Sequence, residues 1–484
     1  MMKQKIRTIQ KVDLLFVVLC CCIFIGAMHA TLTILSLIIA GIVAILIGWS
    51  SQYKDFYCIC RNIIALLLFQ NFFIGIGAHS FGNKSTFLMY LTQIPFMSIC
   101  LIWGSLRIRY YKYFKKPLQN QARWFVGLLF IILLSMLTER GSLNSILINI
   151  RNLVVFYFVF EIGFLCLKDY EEICWLRSFI IFIACIFVFA GIILLVGGIK
   201  LYTIIGYEEV FIAKASPVAP GQLDGRFYTS LISKTYVRMG SILYEPITLA
   251  YFLAISFLIA VLYKDRNRFK QVLYSCFILL GLILTFGKGG YLIVLVSCSC
   301  LLCYKLMRFL QKTLAVSVTM ILALLCIYLF SAWYFLNIGA AASNHFYGII
   351  NTAASVLRRP FGYGLGMGGN MSFIFNNTLI DVSAGFESML MSFLYQLGIF
   401  GGIVFVVCVM LTSCSIKWIR ETSPFEVLFV FMPFILLILS VMQDNTFTPQ
   451  CITSFMLLQG AMKRICWDRK AEKAIELKFI KVAV

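Results

Sequence analysis

Apolar runs of about 20 residues, each long enough to cross a bilayer, recur along the whole of this 484-residue chain, and the lysines and arginines between them fall mainly on alternate links. That pattern leaves a polytopic membrane protein as the architecture to test. Hydrophobic residues make up 61 % of the chain and charged residues 13 %, against roughly 25 % charged in an ordinary soluble domain. Candidate spans lie near 13–29, 31–49, 62–80, 86–104, 122–138, 150–167, 178–197, 243–262, 270–286, 289–306, 313–335, 390–413, 425–442 and 449–464. The expected fold is an all-α integral membrane bundle of about 14 spans, a single domain over 1–484.

The N-terminal Lys3, Lys5, Arg7 and Lys11 and the alternate links set the orientation. Arg107, Arg109, Lys112, Lys115, Lys116 and Arg123 share a side with Lys264, Arg266, Arg268 and Lys270. The tail 465–484, just after Arg464, adds Arg469, Lys470 and Lys473. Excess Lys and Arg marks the cytoplasmic face, so both termini are expected there. The net charge of +21 then follows from topology and from attraction to anionic headgroups, and nucleic acid is not an expected partner. The first segment lacks the small residues of a cleavage site, so it is expected to remain as a span. The tail from about Met462 reads as at most a short basic amphipathic helix on the membrane surface.

Most of the 18 cysteines fall inside spans or at cytoplasmic ends, and only Cys451 lies clearly near the outer face, so no intramolecular disulfide is expected there. Cys298, Cys300 and Cys303 have a metal-like spacing but no His or carboxylate converging on them, and read as small hydrophobes in a helix. No metal or cofactor is expected. Gly287-Lys288-Gly289-Gly290 lacks the spacing of a phosphate loop, so ATP-driven transport and nucleotide-sugar chemistry are not indicated.

Polar residues concentrate in two long outer loops, 198–241 and 336–387, and long loops tend to be functional. The first holds Ser216 to Gln222, then Arg226, Lys234 and Arg238, with Glu245-Pro246 just beyond it. Arg238 and Glu245 sit about two helical turns apart at the start of a span, where an Arg usually has an anionic partner or serves a site; a snorkelling Arg beside a helix-starting Glu-Pro pair is the plainer alternative. Lys288 lies in a glycine turn whose free N–H groups suit an anion, or is simply solvated. Arg358 and Arg359 precede glycines spaced from Gly362 to Gly369, a segment that is not a regular helix and can approach a ligand closely; forked guanidiniums suit a pyrophosphate, and a basic loop on a headgroup surface is the alternative. Asp381 follows. Glu387 opens the next span, as a general base or as an ordinary helix-start acid. His29, His79 and His345 map to the outer face, with only His345 in a long loop.

In this order, Arg238-x-Gly240 with Glu245-Pro246, Thr285-Phe-Gly-Lys288-Gly-Gly290, Pro360-Phe-Gly-Tyr-Gly-Leu-Gly366, and Glu387-Ser388 with Leu397-Gly398 and Gly401 resemble the O-antigen and capsule repeat-unit polymerase (Wzy) and O-antigen ligase superfamily. The resemblance runs from about Arg226 to Gly402. The ligase branch often has a His where this chain has Glu387, which favours polymerase. The resemblance implies a GT-C-type glycosyltransferase architecture in a bacterial inner membrane, with the site facing the periplasm. It implies metal-independent transfer between two undecaprenyl-pyrophosphate-linked oligosaccharides, donor and acceptor, with membrane lipid, a Wzz-type chain-length regulator and a flippase as partners. Arg226, Arg238, Lys288, Arg358 and Arg359 would hold the pyrophosphate. Glu387, or else Glu245 or His345, would take the proton. Tyr244, with Tyr228, Tyr236, Phe346 and Tyr347, would stack on sugars or serve only as interfacial belt residues. A ligase, a lipid-linked oligosaccharide transporter and a structural scaffold remain alternatives.

Overall fold

The computed structural model describes residues 2–483 apart from 53–54, 84–86, 116, 139–140, 214–221, 232–233, 264–266, 308–309, 338, 371, 373–375, 377–386 and 421–422. Side chains of 2–10, 114–115, 213, 230–231, 234, 326–337, 339–346 and 474–483 also lie outside the description. The stretch 216–221, Lys264, Arg266, Asp381 and the side chains of Lys234, His345 and Phe346 therefore fall outside the described residues.

The apolar runs form helices because a backbone in hydrocarbon must pair its own N–H and C=O groups. The helices are α1 (Met2–Met28), α2 (Ala30–Ser50), α3 (Phe56–Ser80), α4 (Leu88–Leu91), α5 (Ile94–Arg109), α6 (Tyr111–Lys115), α7 (Gln119–Ser135), α8 (Leu143–Cys166), α9 (Tyr170–Ile204) and α10 (Tyr207–Ala213). After them come α11 (Pro246–Leu262), α12 (Arg268–Leu284), α13 (Lys288–Leu306), α14 (Lys312–Asn337), α15 (Gly339–Arg358), α16 (Met389–Leu411), α17 (Pro424–Met442) and α18 (Pro449–Ala483). Thirteen of the expected spans each overlap one of these helices, and the stretch 86–104 is divided between α4 and α5. Nine helices among the described residues are long and apolar enough to cross a membrane, so the chain is a multi-pass, predominantly helical membrane protein.

At the centre α18 lies along α8 with backbones almost touching. A Cβ added to Gly163 would meet Leu457 O at 2.1 Å, and one on Gly460 would meet Phe160 O at 2.1 Å. Small residues at such crossings let membrane helices approach closely. α8 and α17 are the most enclosed of the spans, whereas α1 and α2 leave much of their apolar surface to the lipid.

The helical class is as expected, with one small addition: β1 (Tyr228–Leu231) and β2 (Lys234–Val237) form an antiparallel hairpin pairing Tyr228 with Val237, because Tyr, Thr and Val favour a pleated surface. Two expectations need correction. The two long outer segments are more ordered than loops. α9 runs on to Ile204 through a kink at Gly198, α10 follows, and α15 occupies much of 336–387. The tail is no separate surface helix, since α18 continues unbroken from Pro449 to Ala483.

Side-chain pairs join the helices at two distinct ends. At one, Asp13 of α1 meets Arg61 of α3, Arg107 of α5 meets Glu161 of α8, and Glu426 of α17 meets Arg469 of α18. At the other, the hairpin and the starts of α8, α11, α16 and α18 come together. This second end holds Arg226, Arg238, Glu245 and Glu387.

Candidate functional site

The hairpin brings two arginines face to face. Across its base Arg238 N–H donates to Phe227 O at 2.7 Å, and Arg238 Nη1 donates to Arg226 O at 3.3 Å. Arg238 Nε reaches Thr285 O at 2.9 Å, which ties the hairpin to the turn carrying Lys288. The Arg226 guanidinium is shared between Glu245 (Nη1 to Oε1, 3.3 Å) and Asp224 (Nε to Oδ1, 3.6 Å). Glu245 is the N-cap of α11 with Pro246 as its first residue. Its hydrogen-bonded arginine is thus Arg226 rather than Arg238, because the segment between 238 and 245 is a short 3-10 turn and not a helix.

The turn between α17 and α18 completes the cluster. Asn445 Nδ2 donates to Glu245 Oε1 at 3.4 Å, and Asn370 Nδ2 donates to Asp444 at 2.6 Å. The same Asn370 accepts the Glu387 N–H at 3.3 Å, so one side chain joins the end of the glycine segment, Glu387 and Asp444. Burial raises the Asp444 carboxyl above its ordinary value; Arg226 and Asn370 pull it back, while Glu245 and Glu387 push it further up. Burial alone would disfavour charge on Arg226, but Glu245, Asp224 and Asp444 outweigh that and hold it charged. Arg238 is lowered by burial, against the pull of Tyr291 and Glu245.

A third arginine comes from a span. Arg151 lies in the N-terminal half of α8, where its Nε donates to Asn152 Oδ1 at 3.4 Å and it is within electrostatic reach of Glu245. An Arg at such a depth faces the bundle interior and marks a site or pathway. Arg151, Asp444, Asn370, Asn445 and Asp224 were all missed in the sequence. An Arg in an apolar run was a usable signal for Arg151; nothing local distinguishes the others.

The remaining candidates are placed differently. Glu387 is not the helix-start acid: Ser388 caps α16, accepting from Met391 N–H, and Glu387 stands before it at φ 57°. Ser241, Tyr244 and Phe286 are also left-handed, and non-glycine residues held so are strained and tend to collect at functional sites. Tyr244 is fully buried, and its hydroxyl donates to Ile205 O at 2.6 Å. No face is left there for a sugar, so its role is to pack the floor with Tyr202, Tyr207 and Phe227. Tyr236 stacks on Phe286, while Tyr228 and Tyr347 are exposed.

Lys288 is exposed as the first residue of α13, yet the glycines around it serve packing. A Cβ on Gly287 would lie 2.1 Å from Ala250 Cβ, and one on Gly290 would lie 2.7 Å from Ala250 O. The 362–369 segment is irregular as expected, but the backbone it approaches is the protein's own. Tyr363 and Gly364 N–H groups donate to the Tyr395 and Gln396 carbonyls, and Ile399 N–H donates to Pro360 O. These bonds are available because α16 is kinked at Gly398, φ 72°. Arg358 is exposed at the end of α15, and Arg359 lies 4.8 Å above the Tyr363 ring, which stacks on Tyr395. Both sit at the opposite end of this segment from Asn370. His79 Nδ1 pairs with Glu209 at 3.0 Å, and His29 caps α2.

The site therefore combines three guanidiniums with Glu245, Asp444 and Glu387 at one end of the bundle. Such a set can hold a dianionic group and offer a carboxylate beside it as a proton acceptor. No protein-family model, curated protein or solved structure matches this chain.

Proposed function

We propose that this protein is a polysaccharide polymerase of the bacterial cytoplasmic membrane, a GT-C-type bundle of about 14 spans with both termini in the cytoplasm and the site facing the periplasm. It joins undecaprenyl-pyrophosphate-linked oligosaccharide repeat units. The observation that carries the reading is the Arg226–Glu245 pair at 3.3 Å, with Asn445 on the same carboxylate and Arg238 tied to the Arg226 backbone, beside the Asn370-linked Asp444 and Glu387.

In this reading a hydroxyl of the incoming unit attacks the anomeric carbon of the growing chain. A new C–O bond forms, the bond to the pyrophosphate oxygen breaks, and undecaprenyl pyrophosphate leaves. The arginines hold the pyrophosphate as its charge grows, and Lys288 stands close by, across the turn whose Thr285 O accepts from Arg238. Glu387 takes the hydroxyl proton, with Glu245 as the second candidate. Asp444 accepts from Asn370 at 2.6 Å, and Asn370 in turn holds the Glu387 N–H, so Asp444 positions Glu387 beside the arginines.

The test uses purified protein with the lipid-pyrophosphate-linked repeat unit and no nucleotide. A ladder of products that is lost in Arg226→Ala and Glu387→Gln supports polymerisation and this site. Transfer to a different lipid acceptor points to a ligase. Arg151 within a span is the observation that favours a transporter, and substrate movement in vesicles without glycosyl transfer would replace our reading with that one.

A further inference from the structure

A groove of about 620 Å³ opens on the flank of the bundle between α3 and α9, far from the cluster of arginines and carboxylates. Its walls change character along the helices. Near the helix starts it is lined by Tyr57, Arg61, Asn62, Trp175 and Ser178; from there into the helices the lining is Ala65, Phe179, Phe182 and Ile183. On α3 the residues 57, 61 and 65 fall on one face, spaced over about 12 Å. Both helices begin at the same end, so the polar part of the groove lies at headgroup depth and the apolar part points to the bilayer middle.

We propose that this groove holds one anionic glycerophospholipid, its phosphate against Arg61 and its first acyl carbons along Phe179 and Phe182. Arg61 is fixed for the purpose. Its Nη2 donates to Asp13 at 2.5 Å, and Asn62 Nδ2 holds the same carboxylate oxygen at 2.7 Å. The guanidinium lines the groove, its carbon 6.0 Å from the centre of the Phe179 ring. Tyr57 and Trp175 meet edge to face at 5.8 Å at the headgroup level, where aromatic rings anchor to lipid. Phe182 and Trp175 are exposed on the flank, where the surrounding medium is the bilayer. The charge is complementary to an anionic headgroup: Lys11, Lys168 and Arg109 crowd the same end, and basic recesses between spans select anionic headgroups.

The test is native mass spectrometry of the full chain extracted in mild detergent from membranes holding phosphatidylglycerol and phosphatidylethanolamine. Wild type should retain one phosphatidylglycerol with about five-fold preference over its bulk share. Ala65→Trp, which fills the apolar half, should lose the lipid. The double variant Arg61→Gln, Asp13→Asn, which leaves no orphan charge, should keep a lipid without the preference. Brominated phosphatidylglycerol should quench wild-type fluorescence more than that of Trp175→Phe. Unchanged retention in Ala65→Trp, equal retention of both headgroups by wild type, or a stoichiometric protein segment in place of lipid overturns the proposal. None of these readouts depends on glycosyl transfer.

Discussion

The two ends of the bundle treat charge in opposite ways. At the basic end two buried carboxylates are closed off by short bonds. Glu161 accepts from Arg107 at 2.5 Å, from Trp103 Nε1 at 2.6 Å and from the Tyr157 hydroxyl. Glu426 takes both arms of Arg469 at 2.7 and 3.0 Å. At the other end Asn370 holds Asp444 at 2.6 Å, but the bonds around Arg226 and Glu245 are long and shared, with Arg226 split between partners at 3.3 and 3.6 Å and Asn445 3.4 Å from Glu245. Charge-assisted bonds normally settle at about 2.7–2.9 Å, and sites without substrate often have loose ones that tighten on binding. The first arrangement holds helices together, whereas the second keeps charges near one another without using up their capacity.

If that contrast is right, the largest effect on stability belongs to the basic end. Arg469→Met strands Glu426, which is fully buried, and should destabilise the fold by about 3 kcal/mol. Adding Glu426→Gln should recover most of the loss, because it is the orphaned charge rather than the missing pair that costs stability. Thermal unfolding in detergent measures both variants. No recovery in the double variant would mean that Glu426 has another task.

Arg226→Ala should behave in the converse way. Transfer should fall by about 10²-fold with the unfolding midpoint little changed, and Arg226→Lys should recover only part of the rate, since a point charge does not fork. A drop in the midpoint comparable to that of Arg469→Met would make the two ends alike and remove the reason for placing chemistry at one of them.

Gly287→Ala sharpens the comparison further. The added carbon would lie 2.1 Å from Ala250 Cβ, so α11 and α13 must separate, at about 1–3 kcal/mol. A stable Gly287→Ala protein with impaired transfer would restore the anion-binding reading of this turn. Loss of stability that precedes any catalytic change would confirm packing.

The spans were legible because hydrocarbon allows few alternatives to a helix, and runs of apolar residues state that constraint directly. Motifs at Arg238, Glu245, Lys288 and Glu387 were legible as local oddities. Their mutual arrangement was not. Glu245 finds Arg226 through the hairpin, and Asp444 and Asn445 arrive from the α17–α18 turn about 200 residues later; no local spacing encodes such contacts. The glycines of 287–290 and 362–369 show a related limit. A glycine marks close approach to its backbone, but the sequence does not say what approaches, and in the fold Ala250 and the kinked α16 do so. Arg151 could have been recognised as an Arg inside a predicted span, yet only the fold shows that it answers to Glu245.

The smallest effect separates a held proton from a held charge at the site end. Because the Asp444 carboxyl is raised in the folded protein, the fold favours its neutral form. Ionising it costs stability that is still present below the ordinary Asp value of about 4, is lost as pH rises through the raised value, and is fully lost above it. Asp444→Asn mimics the neutral carboxyl and has no such dependence. The variant should therefore gain on wild type in unfolding midpoint as pH is raised from about 4 to about 7, with little difference at the acid end. The gain should be small, since Arg226 and the 2.6 Å bond from Asn370 already offset much of the burial. If wild type instead gains on the variant toward neutral pH, Asp444 serves Arg226 as a permanent anion, and the site end holds one more closed ion pair than the long bonds around Arg226 suggest.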